Sequence, residues 1–166
     1  MPGAGKSTLG VLLAKALGYD FLDTDLLIQR QANQTLADYL RQYGHHTLRQ
    51  IESQTIASLN VQQTVIATGG SAIYGESAMQ HLAHLGHIVY LRCPLSVLEQ
   101  RIGDMSERGV AAPPGQGLPE VEAERVPLYE QYADATLDVG DQSMDDALNT
   151  LLNLINSLLP QQPTRA

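Results

Sequence analysis

The first seven residues constrain the fold of this chain more than any other stretch. They read Met1-Pro2-Gly3-Ala4-Gly5-Lys6-Ser7, and their last three residues match the end of the phosphate-binding pattern G-x-x-x-x-G-K-[ST]. Small residues let backbone N–H groups curl around phosphate oxygens. We expect a nucleotide to be bound by the loop and the residue after it: Gly3, Ala4, Gly5, Lys6, Ser7 and Thr8.

Two side chains of the loop have predicted chemical roles. Lys6 would place its charge on the β- and γ-phosphates, and the Ser7 hydroxyl would be a ligand of Mg²⁺. The segment that follows, up to Leu17, is apolar at helical spacing, and a helix beginning at the loop would add its positive end to the site. The alternative is a glycine-rich tail that binds nothing.

The phosphate-binding pattern is incomplete at its start. Loops of this kind follow a buried strand in the middle of a parallel sheet, and the pattern's first glycine would fall one position before Met1. We therefore expect Met1 to be an internal methionine of a longer reading frame, and the first strand of the fold to be missing from this chain.

Downstream of the loop, short apolar runs alternate with helical patterns, which is typical of a parallel α/β sheet. Strands are predicted at about 19–22, 64–68, 87–91 and 135–139. Helices are predicted at about 8–17, 26–30, 35–43, 47–59, 76–85, 94–102, 119–133 and 143–159. A stretch rich in glycine and proline, residues 103–118, interrupts the pattern and predicts a mobile lid. We expect one domain over residues 1–159 and a frayed tail over 160–166.

The net charge and the cysteine content limit which kinds of partner and which cellular compartment we expect for this chain. The net charge is −8, which argues against binding to nucleic acid or to an anionic membrane. The chain has no apolar run near 18 residues and no signal-peptide pattern. Its single cysteine, Cys93, fits a reducing compartment. We expect a cytoplasmic monomer whose partner is a small molecule.

Two carboxylates follow the first predicted strand. Asp23 and Asp25 fall at the carboxyl end of that strand, where ligands of open α/β sheets bind. One carboxylate, Asp23, would hold the metal through water, and the other, Asp25, would orient or deprotonate an acceptor hydroxyl. The alternative is a solvated turn, since Asp favours the ends of strands.

The remaining candidates would bind an anionic acceptor. Arg49 and Glu52 lie three residues apart on a predicted helix and can pair, so Glu52 would fix Arg49 while Arg49 grips the acceptor. Gly69 and Gly70 would let a ligand approach the backbone and would offer N–H donors. Arg108 in the lid, with Arg125 after it, would meet anionic charge. Each of these has an alternative without a ligand. Arg49 and Glu52 could form a surface ion pair, the two glycines could form an ordinary turn, and the other two arginines could be solvated side chains.

Taken in order, these motifs resemble those of the shikimate kinases, small P-loop enzymes that transfer the γ-phosphate of ATP to a hydroxyl of shikimate. The similar segments extend along nearly the whole chain. They are Gly3-Ala4-Gly5-Lys6-Ser7, Phe21-Leu22-Asp23-Thr24-Asp25 (D-x-D), Leu48-Arg49-Gln50-Ile51-Glu52 (F-R-x-x-E), Ala67-Thr68-Gly69-Gly70 (G-G-G) and Arg125-Val126-Pro127-Leu128-Tyr129 with Ala133-Asp134 (R-x-P-x-Y…A-D). The resemblance implies a three-layer P-loop kinase fold with a parallel sheet between helices and a closing lid.

The resemblance also implies roles for individual residues. Lys6 and Ser7 would bind phosphate and Mg²⁺, with Asp23 in the outer shell of the metal. Asp25 would contact the acceptor hydroxyls as base, beside the backbone of Gly69 and Gly70. Arg49 and Arg125 would clamp the carboxylate of shikimate, and Arg108 would be the lid arginine near the transferred phosphate. The catalytic set is then Lys6, Asp25 and Arg108.

Two substrate-side segments depart from the family pattern. Ser71 stands where the family has a third glycine, and the lid reads Arg108-Gly109-Val110-Ala111 in place of Arg-Pro-Leu-Leu. Two alternatives to a shikimate kinase follow. The first is a kinase of the same fold for another small hydroxy acid or sugar acid. The second is a catalytically silent nucleotide-binding protein.

Overall fold

The order of elements follows the predicted alternation of strands and helices. A computed structural model describes residues 1–105 and 107–159; the predicted tail, 160–166, lies outside them. The described elements are α1 (Lys6–Leu17), β1 (Asp20–Asp23), α2 (Thr24–Ala32), α3 (Leu36–Ala57), β2 (Thr64–Ala67), α4 (Glu76–Leu85), β3 (Val89–Arg92), α5 (Leu95–Ile102), α6 (Leu118–Tyr132), β4 (Ala135–Asp138) and α7 (Met144–Leu158). A 3₁₀ turn, Ala72–Tyr74, follows β2.

Local sequence explains where several helices begin and break. The hydroxyl of Thr35 accepts a hydrogen bond from the Asp38 amide at 3.1 Å and so caps α3, and Ser143 caps α7 in the same way through Asp146 at 3.2 Å. Such caps satisfy backbone donors that a first helical turn leaves free. Gly44 has non-helical backbone angles inside α3, so the predicted break at this glycine is present as a kink.

The strands form two parallel pairs. β1 pairs with β2, from Asp20 opposite Thr64 to Asp23 opposite Ala67, and β3 pairs with β4. Within the described residues, the two pairs are not hydrogen-bonded to each other. A cavity of about 450 Å³ lies between β2 and β3, with apolar side chains from α1 and α7 also lining it.

The core of the described residues consists of three apolar clusters, two of which include strand residues. The largest joins Met1 and α1 to β3, β4, α5, α6 and α7. A second lies between the 3₁₀ turn and α4 around Ile56, and a third joins α2, α3 and Ala111 of the predicted lid. None of the helices in the described ranges combines the length and apolar character needed to cross a bilayer.

The predicted lid contains only turns and irregular backbone where the structure describes it, residues 103–105 and 107–117. Its middle is nevertheless packed, because Val110 and Ala111 are 7% and 3% exposed. Gly117 precedes α6, and its amide donates to the Glu120 carboxylate at 3.0 Å. The lid residues therefore lie against the body of the protein and end at a capped helix.

Candidate active site

The phosphate-binding loop folds tightly around Lys6. Gly5 precedes α1 with a φ of 90°, a left-handed conformation that glycine adopts without the strain other residues would carry. The Lys6 ammonium donates to the carbonyl of Met1 at 2.7 Å. Burial lowers the pKa of Lys6, while the carboxylates of Asp25 and Glu52 act in the opposite direction. The loop therefore holds a cation at the N-terminus of a helix, which suits a phosphate.

Ser7 and Asp23 meet beside this loop. The Ser7 hydroxyl donates to Asp23 Oδ2 at 2.6 Å, while Asp23 Oδ1 accepts from the amide of Asp25 at 2.9 Å and caps α2. These exposed oxygen donors fit Mg²⁺, which typically takes one or two protein oxygens and completes its shell with waters and substrate phosphates. The pair predicted to hold the metal is thus adjacent.

Asp25 and Glu52 converge on one side of Gly69. A Cβ placed on Gly69 would come within 2.6 Å of both Glu52 Oε1 and Asp25 Oδ1, so the site needs a residue without a side chain there. Burial raises the pKa of Asp25 to about 6, helped by the charge of Asp23 and opposed by Lys6. Burial also raises the pKa of Glu52 to about 7, against the hydrogen bond that it accepts from Ser71.

One cavity of about 680 Å³ brings most of the predicted site residues together. Its lining includes Gly3, Gly5, Lys6, Ser7, Thr8, Asp25, Gly69, Gly70, Arg108 and Arg125. Three predicted residues do not line it. Ala4 is buried behind the loop at 3% exposure, Asp23 lies behind Ser7, and Arg49 is covered by a tyrosine and by the lid.

Arg49 and Arg125 point at the same backbone oxygen. Arg49 donates to the carbonyl of Ala111 through Nε at 3.3 Å and Nη2 at 3.1 Å, and Arg125 donates to it through Nη2 at 2.7 Å. Arg125 is 1% exposed. Two guanidinium groups that converge on one oxygen form a site for an anion, with a lid carbonyl supplying the oxygen in this structure.

Tyr74 holds both arginines from the other side. The Arg49 guanidinium stacks on its ring at 3.7 Å from the centroid, and Arg125 Nε donates to its hydroxyl at 3.4 Å. Cation–π contact fixes a guanidinium without neutralising it. The sequence analysis did not single out Tyr74. The one signal for it is its position shortly after the Gly69-Gly70 turn, and this position alone does not show that its ring contacts the arginines.

Two expectations are wrong in detail. Arg49 does not pair with Glu52: its nearest carboxylate is Glu124, at 3.9 Å. The reason is that Glu52 turns towards Ser71 while Tyr74 and Ala111 hold Arg49. The Gly69 amide, expected to be open to a ligand, donates instead to the hydroxyl of buried Thr24 at 3.3 Å.

Gly70 lies between the acceptor side and the phosphate loop. The Tyr129 hydroxyl donates to its carbonyl at 2.5 Å, and Tyr129 stacks on Tyr90 of β3 with centroids 5.0 Å apart. A Cβ on Gly70 would lie 3.0 Å from Arg125 Nη1 and 3.1 Å from Pro2 Cδ. The aromatic residue of the R-x-P-x-Y segment therefore anchors the glycine turn.

Arg108 lines the cavity near the phosphate loop, and its Nη2 donates to the carbonyl of Arg101 at 2.9 Å. Arg101 in turn donates to the carbonyl of Gly3 at 3.4 Å. The sequence analysis did not single out Arg101, because its place in the last turn of α5 does not reveal that this turn reaches the loop.

Comparison with known proteins agrees with this geometry. The family model described as "Shikimate kinase" matches residues 2–156. Shikimate kinase 2 of Yersinia enterocolitica is 33% identical over 159 residues, covering 92% of this chain and 90% of that protein. The shikimate kinase of Methylococcus capsulatus is 36% identical over 154 residues, covering 91% and 86%.

Solved structures extend the likeness to the fold. The shikimate kinase from Acinetobacter baumannii, in complex with shikimate, has a TM-score of 0.83 and 31% identity over 93% of this chain and 88% of that one. The enzyme from Aquifex aeolicus has a TM-score of 0.79 and 26% identity over 96% and 95%. The predicted α/β P-loop kinase fold is confirmed. The chain therefore belongs to the shikimate kinase family, as its motifs predict, and is an ATP-dependent phosphotransferase with a small-molecule acceptor.

Proposed function

We propose that this protein transfers the γ-phosphate of ATP to a hydroxyl of shikimate, with the residue roles predicted from its sequence. One observation carries the proposal. A single cavity is lined by the phosphate-binding loop, the carboxylate of Asp25 and the guanidinium of Arg125, and Arg49, outside the lining, shares the lid carbonyl of Ala111 with Arg125. Such a cavity suits an acceptor that carries both a carboxylate and a hydroxyl.

The nucleotide end of the cavity neutralises charge. The loop amides and the Lys6 ammonium would bind the β- and γ-phosphates, and the positive end of α1 would add to them. Ser7 and Asp23, 2.6 Å apart, would hold Mg²⁺, which when bound supplies further neutralisation of the phosphate charge. Arg108, supported by the Arg101 carbonyl, would face the transferred phosphoryl group when the lid closes.

The chemical step is an in-line displacement at the γ-phosphorus. The acceptor oxygen would form a bond to phosphorus as the bond to the ADP oxygen breaks, and the hydroxyl proton would pass to Asp25. Asp25 has a pKa of about 6 because it is buried, so at neutral pH it is ionised and can still take a proton. Positioning in the closed cavity would contribute most of the rate.

The acceptor carboxylate would take the place of the Ala111 carbonyl oxygen. Three N–H groups of Arg49 and Arg125 already converge on that oxygen, and a carboxylate would receive them as charge-assisted, shorter bonds. The lid must release its own contact when the acceptor binds, so binding of the acceptor and movement of the lid are coupled.

The test is release of ADP from ATP and Mg²⁺, with and without shikimate, and with shikimate methyl ester as a matched acceptor without the negative charge. We expect turnover with shikimate and a KM raised at least about tenfold for the ester. Arg49→Met should raise the KM for shikimate and leave that for the ester nearly unchanged. ATP binding without shikimate-dependent ADP release would overturn the proposal and favour another hydroxy acid or a silent nucleotide-binding protein.

We also infer that the protein works in the cytoplasm as a monomer. Cys93 is a buried free thiol, which suits a reducing compartment, and the residues proposed for both substrates come from one chain. Sedimentation velocity with and without ATP tests the oligomeric state, and a dimer that forms with nucleotide would contradict it.

A further inference from the structure

Ser71 occupies a position that is glycine in the family motif, and its side chain is engaged. It is 7% exposed and lines the cavity. It precedes the 3₁₀ turn but makes no capping hydrogen bond there. Its hydroxyl donates to Glu52 Oε2. The serine therefore adds a contact to an acidic side chain of the site that glycine could not make.

The other oxygen of Glu52 is left without a partner. Glu52 is 2% exposed, and its Oε1 has no hydrogen-bond partner among the residues that the structure describes. This oxygen lies beside Gly69 on the same side as Asp25 Oδ1, and Glu52 is one of the residues that line the cavity. A buried acceptor atom without a donor is costly, so a ligand with a donor at this point would satisfy it.

Within the described residues, the Ser71 hydroxyl is the one hydrogen-bond donor to the Glu52 side chain. Arg49, three residues earlier on α3, is stacked on Tyr74 and bonded to the Ala111 carbonyl. Lys6 and Arg125 act on Glu52 through their charges and favour its ionised form, while Asp25 opposes it. The Ser71 hydroxyl is therefore the contact that fixes which way the carboxyl group points.

We propose that Ser71 is a positioning residue for the acceptor: it holds Glu52 so that Oε1 accepts a hydrogen bond from a second hydroxyl, next to the hydroxyl that faces Asp25. The proposal rests on the proposed function and deepens it. Two carboxylate oxygens on the same side of Gly69 match a hydroxy acid with two neighbouring hydroxyls, and an acceptor without the second hydroxyl would leave Oε1 unsatisfied.

The test compares Ser71→Ala with Ser71→Thr, which keeps the hydroxyl, in steady-state assays with shikimate. Ser71→Ala should lower kcat/KM for shikimate by about 10- to 100-fold, the range of one hydrogen bond to a charged group, and leave the KM for ATP unchanged. Ser71→Thr should restore most of the loss. With a deoxy analogue of shikimate that lacks the second hydroxyl, wild type and Ser71→Ala should be equal.

A double-mutant cycle tests whether Ser71 acts through Glu52. In the Glu52→Gln background, Ser71→Ala should add little further loss, because the oriented carboxylate is already gone. Additive losses, or an equal penalty with the deoxy analogue, would overturn the proposal.

A measurement on the free protein separates this proposal from the proposed function. The Glu52 carboxyl carbon, followed by NMR, should titrate at higher pH in Ser71→Ala than in wild type, since the hydrogen bond from Ser71 favours the ionised form. If wild type shows no turnover with shikimate but the Glu52 titration moves, the proposed function fails while the contact stands. An unchanged titration would overturn the role of Ser71 whatever the substrate.

Discussion

At the scale of single residues, Asp25 is the group whose loss should affect chemistry most selectively. Asp25→Asn keeps the shape but removes the proton acceptor, and we expect kcat to fall by about 10²-fold or more. Asp25 lies across the cavity from the bound nucleotide proposed at the loop, so the KM for ATP should change little. Steady-state kinetics with both substrates varied measures this division.

The matched control for Asp25 is Lys6→Met, which removes charge at the phosphate end. It should weaken ATP binding, measured by titration calorimetry. A comparable loss of ATP affinity in Asp25→Asn would contradict the separate roles of the two ends.

Glu52 should make the stability of the folded protein depend on pH. Its pKa is about 7 in the folded protein and 4.5 ordinarily, so between these values the unfolded chain loses a proton that the folded chain keeps. The free energy of unfolding should therefore fall as pH rises from about 4.5 to 7, and flatten above that. In Glu52→Gln this part of the dependence should vanish, and Tm at pH 8 should be higher than in wild type by several degrees.

Exposed Glu99 on α5 provides the control for Glu52. Thermal melts of Glu99→Gln across the same pH range should follow wild type. A wild-type slope that persists in Glu52→Gln would mean that other carboxyl groups of the cluster carry it.

Most of the site residues predicted from residue types and their order line the cavity, since a phosphate-binding loop followed by carboxylates at the end of a strand is typical of a nucleotide site. The sequence did not predict the contacts of Ser71, Tyr74 and Arg101. Each acts through a partner far away in sequence: Glu52, Arg49 and Gly3 respectively. Such contacts depend on how elements pack, and no local pattern encodes them.

At the scale of elements, the lid depends on one glycine. Gly109 has a φ of +65°, and a Cβ there would lie 2.7 Å from the Leu36 Cβ and 3.0 Å from the Ala37 amide. Gly109→Ala should therefore shift the lid off α3 and withdraw the Ala111 carbonyl from the two arginines. Because the acceptor carboxylate would no longer have to displace that carbonyl, the KM for the acceptor should not rise. We expect kcat to fall at least about fivefold, because the displaced lid would no longer place Arg108 beside the transferred phosphoryl group, and protease cleavage within 103–117 to accelerate.

Gly115→Ala is the comparison for the lid. It imposes a similarly strained backbone, with a φ of +85°, but its Cβ would meet no atom within 4 Å. It should lower stability with a smaller effect on kcat. Equal kinetic losses in the two variants would show that backbone strain, and not the contact with α3, controls the lid.

Helix positions could be predicted more closely than strand positions. Caps and glycines mark the helix ends, so the helix at 76–85 coincides with α4. The predicted strand at 87–91 lies two residues early at its start, because β3 begins at Val89. His87 and Ile88 continue the apolar run but precede the pairing with β4. The ends of a strand depend on which residues of a neighbouring strand pair with it, and an apolar run in the sequence does not identify that neighbour.

At the scale of the whole molecule, the sequence analysis expects a gap in the middle of the sheet, because it expects the strand before the phosphate-binding loop to be missing. The sequence predicts parallel strands, and the pairs β1–β2 and β3–β4 are parallel. It does not predict that an apolar cavity of about 450 Å³ lies between β2 and β3, with side chains of α1 and α7 in its lining. Both strands are anchored by helices on their faces, so the cavity is bounded without direct pairing across it.

The cavity between β2 and β3 should affect how fast backbone amides exchange with solvent. β2 and β3 each pair on one side only in the part of the chain that the structure describes, so amides on the cavity side must rely on water or on transient contacts. We expect these amides to exchange with deuterium much faster than the amides of α1, whose Leu9 and Leu13 are 2% and 6% exposed. Amides in the β1–β2 ladder should be protected to an intermediate degree. Protection of the cavity-side amides equal to that of α1 would mean that β2 and β3 pair in solution and close the cavity.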